Sequence, residues 1–203
     1  MTDRPMTFSD HLAELRSRIL RSLVVVTAAF FAAWTFHIEI YDFLAAPVLA
    51  GLASHGIHGL QALQVTEAIT VYLHASLIAA LVAASPYLFF QIWSFVAPGL
   101  YDREKAYVTP VVWLVSCFFL FGVVFCYYVF LPMVVDFLVG FTLESGTVDL
   151  KPTFEKTWGL ATTFLFVFGM LFELPLMMFF LSFLGVADWR KYLKFSRYFI
   201  VIS

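Results

Sequence analysis

Three carboxylates stand where a carboxylate is not expected, and they set the chemistry to look for. Glu14 sits among Arg16, Arg18 and Arg21, in a stretch whose apolar residues Phe8, Leu12, Leu15, Ile19 and Leu23 recur every three or four positions. That spacing gives an amphipathic helix. The arginines alone would hold it to a membrane surface as positive-inside charge, so the carboxylate adds nothing to anchoring. Glu104 stands in a second interfacial segment, 93–105, where aromatic residues and a Pro98-Gly99 turn close an apolar run. Read plainly, that segment is an aromatic belt with a solvated charge cluster. Glu173 interrupts an otherwise uncharged run. At the centre of a bilayer a carboxylate costs at least ~2.5 kcal/mol, so it must face protein or water. It either pairs with Gln91, Ser85 or a hydroxyl, or forms a polar floor beneath a concave face. His74, in an apolar run, reads as a hydrogen-bonded interior histidine, and Asp136 as a solvated residue near an interface. Cys117 and Cys126 lie about 13 Å apart on one helix, too far for a disulfide, and read as apolar packing residues. No H-E-x-x-H metal site is present, nor a serine or paired-aspartate protease signature. No catalytic residue, metal or cofactor is expected.

The elements that position these groups follow from composition. The chain has 203 residues, 62% hydrophobic and 13% charged, with a mean hydropathy of +0.90. Soluble domains are less apolar and nearly twice as charged, so lipid must solvate the excess. The 25 phenylalanines suit lipid-facing helix surfaces. A net charge of −2 implies no polyanionic partner such as nucleic acid. The first apolar run lies behind a charged stretch and ends in no small-residue cleavage site, so no cleavable signal peptide is read there.

A span needs about 20 mostly apolar residues. We expect an all-α polytopic membrane protein in one domain, 1–203. Residues 1–21 form a cytoplasmic amphipathic helix, with Thr7-x-x-Asp10 as its capping box. The spans are 22–37, 68–95, 106–135 and 157–187, and 198–203 begins a fifth. The uncharged stretch 43–66 could be mistaken for another span. If it is a loop, Arg4, Arg16, Arg18, Arg21, Arg103, Lys105, Arg190, Lys191, Lys194 and Arg197 share one side, and only Lys151 and Lys156 face the other. If it spans, the basic residues divide evenly. The positive-inside bias selects the loop, and its glycines and Pro47 punctuate accordingly. Pro86, Pro110, Pro132 and Pro175 should kink the long spans, and kinked, tilted helices can form a concave face. No internal repeat is apparent.

The motifs then become specific. His11-Leu-Ala-Glu-Leu-Arg16 resembles the H-L-x-E-L-R signature of TatC proteins, the multi-spanning receptors of the twin-arginine protein translocase. Gln91-x-Trp-x-Phe-x-Ala-Pro-Gly-Leu-Tyr-x-x-Glu104 resembles their first cytoplasmic loop, Phe172-Glu173-x-Pro175 matches in the fourth span, and Pro47 matches a proline of the first outer loop. The resemblance implies a receptor for twin-arginine signal peptides in the bacterial inner membrane, with a cytoplasmic N-terminus. It implies export of folded cargo powered by the proton-motive force, with single-span TatA/TatB-type subunits, in a homo-oligomeric complex. It implies a signal-peptide site at Glu14, Phe95 and Glu104, supported by Arg16, Gln91, Pro47, Pro98, Tyr101, Glu173 and Pro175. Guanidinium groups bind carboxylates through bidentate, charge-assisted bonds, and Phe95 could add a cation–π surface. Family members have six spans, so this stretch is expected to belong to a longer chain whose fifth helix docks a partner.

A small-solute transporter or channel is the alternative. It would need a polar path through the spans, and these offer only Glu173, His74 and scattered hydroxyls. The charge bias makes a direct prediction. Cysteines placed at Ser54 or Gly146 should label from outside intact cells, and the N-terminus and Lys191 should be protected. Labelling at Ser54 only after lysis would overturn the loop at 43–66.

Overall fold

A computed structural model of the chain describes residues 8–57, 59–96, 108–144 and 150–183. Thr7, His58, Gly146, the loop residues Pro98, Tyr101 and Glu104, and the basic cluster at 190–197 lie outside them. The apolar runs become helices: α1 Phe8–Thr35, α2 His37–Ala53, α3 Glu67–Val96, α4 Val108–Phe125, α5 Leu131–Glu144 and α6 Phe154–Phe183. Four are long and apolar enough to cross a membrane: His11–Thr35, Glu67–Val96, Thr109–Glu144 (α4 and α5 together) and Phe154–Phe180. α1 runs without a break past Arg21, so the amphipathic segment and the first span are one helix. Trp113, Phe121, Phe137, Phe141 and Phe179 point outward, the orientation that hydrocarbon rather than water would accept.

α4 and α5 are joined by a π-helical turn, Cys126–Phe130. Pro132 explains it. Proline has no N–H and its ring collides with the carbonyl four residues back. Widening the ladder relieves the clash, and the Leu131 N–H bonds the Cys126 carbonyl five residues earlier. The Tyr127 hydroxyl donates to the Phe43 carbonyl at 2.6 Å, fixing this turn to α2.

α2 does not cross the bundle. Tyr41 near its start meets Tyr72 of α3 and Phe154 and Trp158 of α6, while Gly51 near its end lies against Val135 of α5. Both ends therefore meet the same end of the bundle. Gly56, with φ +75°, ends the helix. Its N–H reaches the Ala53 carbonyl and that of Ile57 reaches Leu52, the paired bonds of a Schellman cap. The connection is then tied to the residues before α6, with Gln61 N–H on Pro152 O at 3.0 Å and Phe154 N–H on Gln61 O at 2.9 Å. Two buried clusters lie beneath this cap. One joins Val48 and Leu52 to Leu131, Val135, Ala161 and Leu165; the other joins Tyr41 and Ala45 to Val71, Ala75 and Trp158. Burial pushes the Tyr41 hydroxyl up to about 12, with Tyr72 and Asp42 adding to the shift, so this ring packs as a neutral phenol.

Elsewhere α1 packs along α3 and α4 along α6. His74 is not interior as expected. It is exposed beside a cleft of about 610 Å³ that Thr162, Thr163, Glu155 and Lys156 also line. At this level Val71, Ala75 and Ser76 take the buried face of α3, and His74 lies off that face. Cys117 and Cys126 are both free.

The α4–α6 crossing depends on two glycines. A Cβ on Gly122 would sit 2.7 Å from the Phe168 carbonyl oxygen; one on Gly169 would sit 2.6 Å from the Phe119 ring. A ring can swing aside and a helix backbone cannot. Gly122→Ala should therefore destabilise the protein by about 1–3 kcal/mol, and more than Gly169→Ala. Thermal unfolding in detergent checks this, and equal midpoints for both variants and wild type would refute the close crossing.

Candidate functional site

Helical spacing builds two facing ladders where the start of α1 meets the end of α3. His11, Glu14 and Arg18 share one face of α1, three and four residues apart; Tyr87, Gln91 and Phe95 share one face of α3, four apart. The His11 and Phe95 rings stack with centroids 4.3 Å apart and planes at 20°. Arg18 Nε donates to Glu14 Oε1 at 2.9 Å and its Nη2 donates to the same oxygen. Arg18 Nη1 donates to Gln91 Oε1 at 3.2 Å, and Gln91 Nε2 donates to the Tyr87 hydroxyl at 2.6 Å. Glu14 Oε2 is enclosed and has no hydrogen-bond partner among the described residues. A buried acceptor left unpaired costs about 1–3 kcal/mol, so this atom has much to gain from an arriving donor.

Behind this polar end an apolar groove of about 460 Å³ runs between the helices. Leu15, Ile19, Leu23 and Val26 line it from α1 and Leu81, Leu88 and Ile92 from α3, with Arg18, Gln91 and Phe95 at its rim.

The structure thus brings Glu14, Phe95 and Gln91 into one cluster. Arg16 is exposed on another face of α1. Pro47 lies within α2 at the opposite end of the bundle, and Pro175 is exposed on α6. Glu104, Pro98 and Tyr101 fall outside the described residues. Arg18 and Tyr87 were not expected here. From sequence alone Arg18 reads as positive-inside anchoring. The signal that could have placed it is its position four residues after Glu14, the favourable order for a carboxylate–cation pair on a helix.

Glu173 lies apart from this cluster, on α6 one turn beyond Gly169. It is only 4% exposed, and neither carboxyl oxygen has a hydrogen-bond partner among the described residues. The expected pairing with Gln91 or Ser85 is not made: Ser85 donates to the Val82 carbonyl, and Gln91 is engaged with Arg18 and Tyr87. The Phe119 backbone of α4 runs beside the carboxyl, but an amide in mid-helix is committed to its own ladder and makes no well-formed bond to it. A larger cavity, about 760 Å³, opens between α2, α3, α4 and the π turn; among the described residues Glu39 is its one charged lining residue.

Residues 10–203 match the sequence model of the TatC family, described as Sec-independent protein translocase protein. The chain is 37% identical over 196 residues to the Sec-independent protein translocase protein TatC of Koribacter versatilis, covering 94% of this chain and 71% of that protein. It is 36% identical over 195 residues to the protein of the same name from Desulforapulum autotrophicum, covering 96% and 71%. A solved structure described as the twin arginine translocase receptor TatC in DDM superposes with a TM-score of 0.83 at 28% identity, covering 95% of this chain and 84% of that one. A second structure of a TatC receptor gives 0.82 at 29% identity, covering 95% and 83%.

The unpartnered Glu173 yields a prediction with two independent arms. Replacing a buried, unsatisfied carboxyl with an apolar side chain removes a desolvation cost. Glu173→Leu should therefore keep or raise the thermal midpoint while impairing protein export, and Glu173→Gln should impair export less. Normal export by Glu173→Leu would reduce Glu173 to a packing residue, and a clear drop in its midpoint would show that the carboxyl is satisfied after all.

Proposed function

This chain belongs to the TatC family of Sec-independent protein translocase proteins, and we propose that it works as the receptor for twin-arginine signal peptides and the core of their translocase. It is a multi-pass membrane protein with four helices able to span a bilayer. In this reading it sits in the bacterial inner membrane with the start of α1 on the cytoplasmic side. It carries no bond-making chemistry of its own, and it works with TatA/TatB-type single-span subunits in an oligomer driven by the proton-motive force.

The observation that carries the reading is Glu14, held beside the stacked His11 and Phe95 rings with one oxygen lacking a hydrogen-bond partner among the described residues. One guanidinium of the signal would take that oxygen. The second would go to Glu104, brought over from the segment after α3. Phe95 would pack against a guanidinium plane, and the apolar segment of a signal peptide would enter the groove between α1 and α3. A transporter reading has less to rest on, because the 760 Å³ cavity is almost wholly apolar.

Each charged pair at the interface should contribute on the order of 1–3 kcal/mol. Glu104→Ala and Glu14→Ala are therefore expected to weaken twin-arginine peptide binding about five- to 150-fold, and Glu104→Arg to do worse through repulsion. The measurement is the affinity of twin-arginine and twin-lysine peptides for the complete protein. If wild type binds both equally, or if both alanine variants keep full discrimination, this site is wrong.

A further inference from the structure

Glu14 is recognised from within the chain before any ligand arrives. An ionised carboxylate has about four acceptor positions, two on each oxygen. Arg18 places Nε and Nη2 on Oε1 and so fills that oxygen. It does not straddle the carboxylate as a fork-to-fork pair would. Its third nitrogen is held by Gln91, and Gln91 by Tyr87, both on α3. The guanidinium plane is thus fixed by two helices, and the carboxylate's orientation is fixed with it. What remains is Oε2, enclosed and without a hydrogen-bond partner among the described residues, with two acceptor positions. Two positions on one oxygen match the neighbouring N–H groups of one guanidinium, as Arg18 itself demonstrates on Oε1. An ammonium is a compact charge with rotating donors and gains nothing from a carboxylate held at a set angle.

We propose that Arg18 is a specificity-determining positioning residue: it saturates one oxygen of Glu14 and, braced by Gln91 and Tyr87, orients the other as a two-position acceptor that the incoming signal must uncover to seat a single guanidinium. The inference rests on the receptor reading above and deepens it. Glu14 supplies the charge, and Arg18 converts that charge into a preference for arginine over lysine.

The test compares twin-arginine and twin-lysine peptides on the complete protein in detergent, for wild type, Arg18→Lys, Arg18→Ala and Gln91→Leu, with a thermal midpoint for each. Arg18→Lys keeps the charge but cannot reach both Glu14 and Gln91 in one plane. It should weaken twin-arginine binding by about tenfold and leave twin-lysine binding within about twofold, so that discrimination narrows. Gln91→Leu should shift the same ratio in the same direction by a smaller factor, and it decides the matter if the Arg18 variants do not fold. A helix-anchoring role would lower both affinities together, leave the ratio unchanged and overturn the inference. Tighter twin-arginine binding by Arg18→Ala would also overturn it, because Arg18 would then be a competitor for Glu14. If wild type fails to discriminate, the receptor reading itself falls. Discrimination by wild type that Arg18→Lys and Gln91→Leu both retain overturns this inference alone.

Discussion

A backbone in hydrocarbon has no water to turn to, so its N–H and C=O groups must be satisfied within the chain. Most of the structure answers to that constraint. It explains the long helices, and it explains what happens where proline interrupts one. The amide that Pro132 lacks and the carbonyl it crowds are absorbed by a π turn rather than by a loop. It also explains the hydroxyls. Ser76, Ser85, Ser116 and Thr162 each donate back to a carbonyl three or four residues earlier in their own helix, which lets a polar side chain sit among apolar ones without a distant partner. Among the described residues, only at the ends of the bundle does the chain depart from helix. There Gly56 closes α2, and Gln61 clasps the residues before α6.

Close packing imposes the second demand. Small residues on the inner face of α3 and the glycines of α4 and α6 let helices approach until a single added carbon would collide with backbone, as expected where dispersion rather than water drives helix association. The aromatic residues divide between two tasks. Tyr41, Tyr72, Phe154 and Trp158 form a cluster beneath α2, while Trp113 and Phe137 face outward.

Hydrophobic runs and charge bias were enough to read the four spans and to keep 43–66 out of the count, because both are summed over many residues. The motif residues led to Glu14, Phe95 and Gln91, which the fold does bring together. Details that depend on pairing between helices were not legible. The Arg18–Gln91 bond joins residues 73 positions apart, and no local pattern encodes it. His74 reads as interior from its apolar neighbours, yet which face of α3 is buried depends on how closely α2 and α6 approach. Glu67 is another such residue. Its Oε1 accepts the Leu63 and Gln64 N–H groups and closes the turn before α3, a role that only the folded turn reveals.

The two anomalous carboxylates within the described residues resolve in different ways, and depth is the reason. Glu14 lies near a helix end with its side chain about one-fifth exposed (21%), where charges are affordable and a second arginine can be kept at hand. Its satisfaction can therefore be divided: one oxygen tied to the protein, the other left over. A carboxylate bonded at both oxygens would be stable and useless for recognition; one bonded at neither would be free to rotate. Glu173 has no such choice. It is enclosed beside the α4–α6 crossing, and no hydroxyl among the described residues bonds it. Its burial cost of several kcal/mol is comparable to a whole domain's margin of stability.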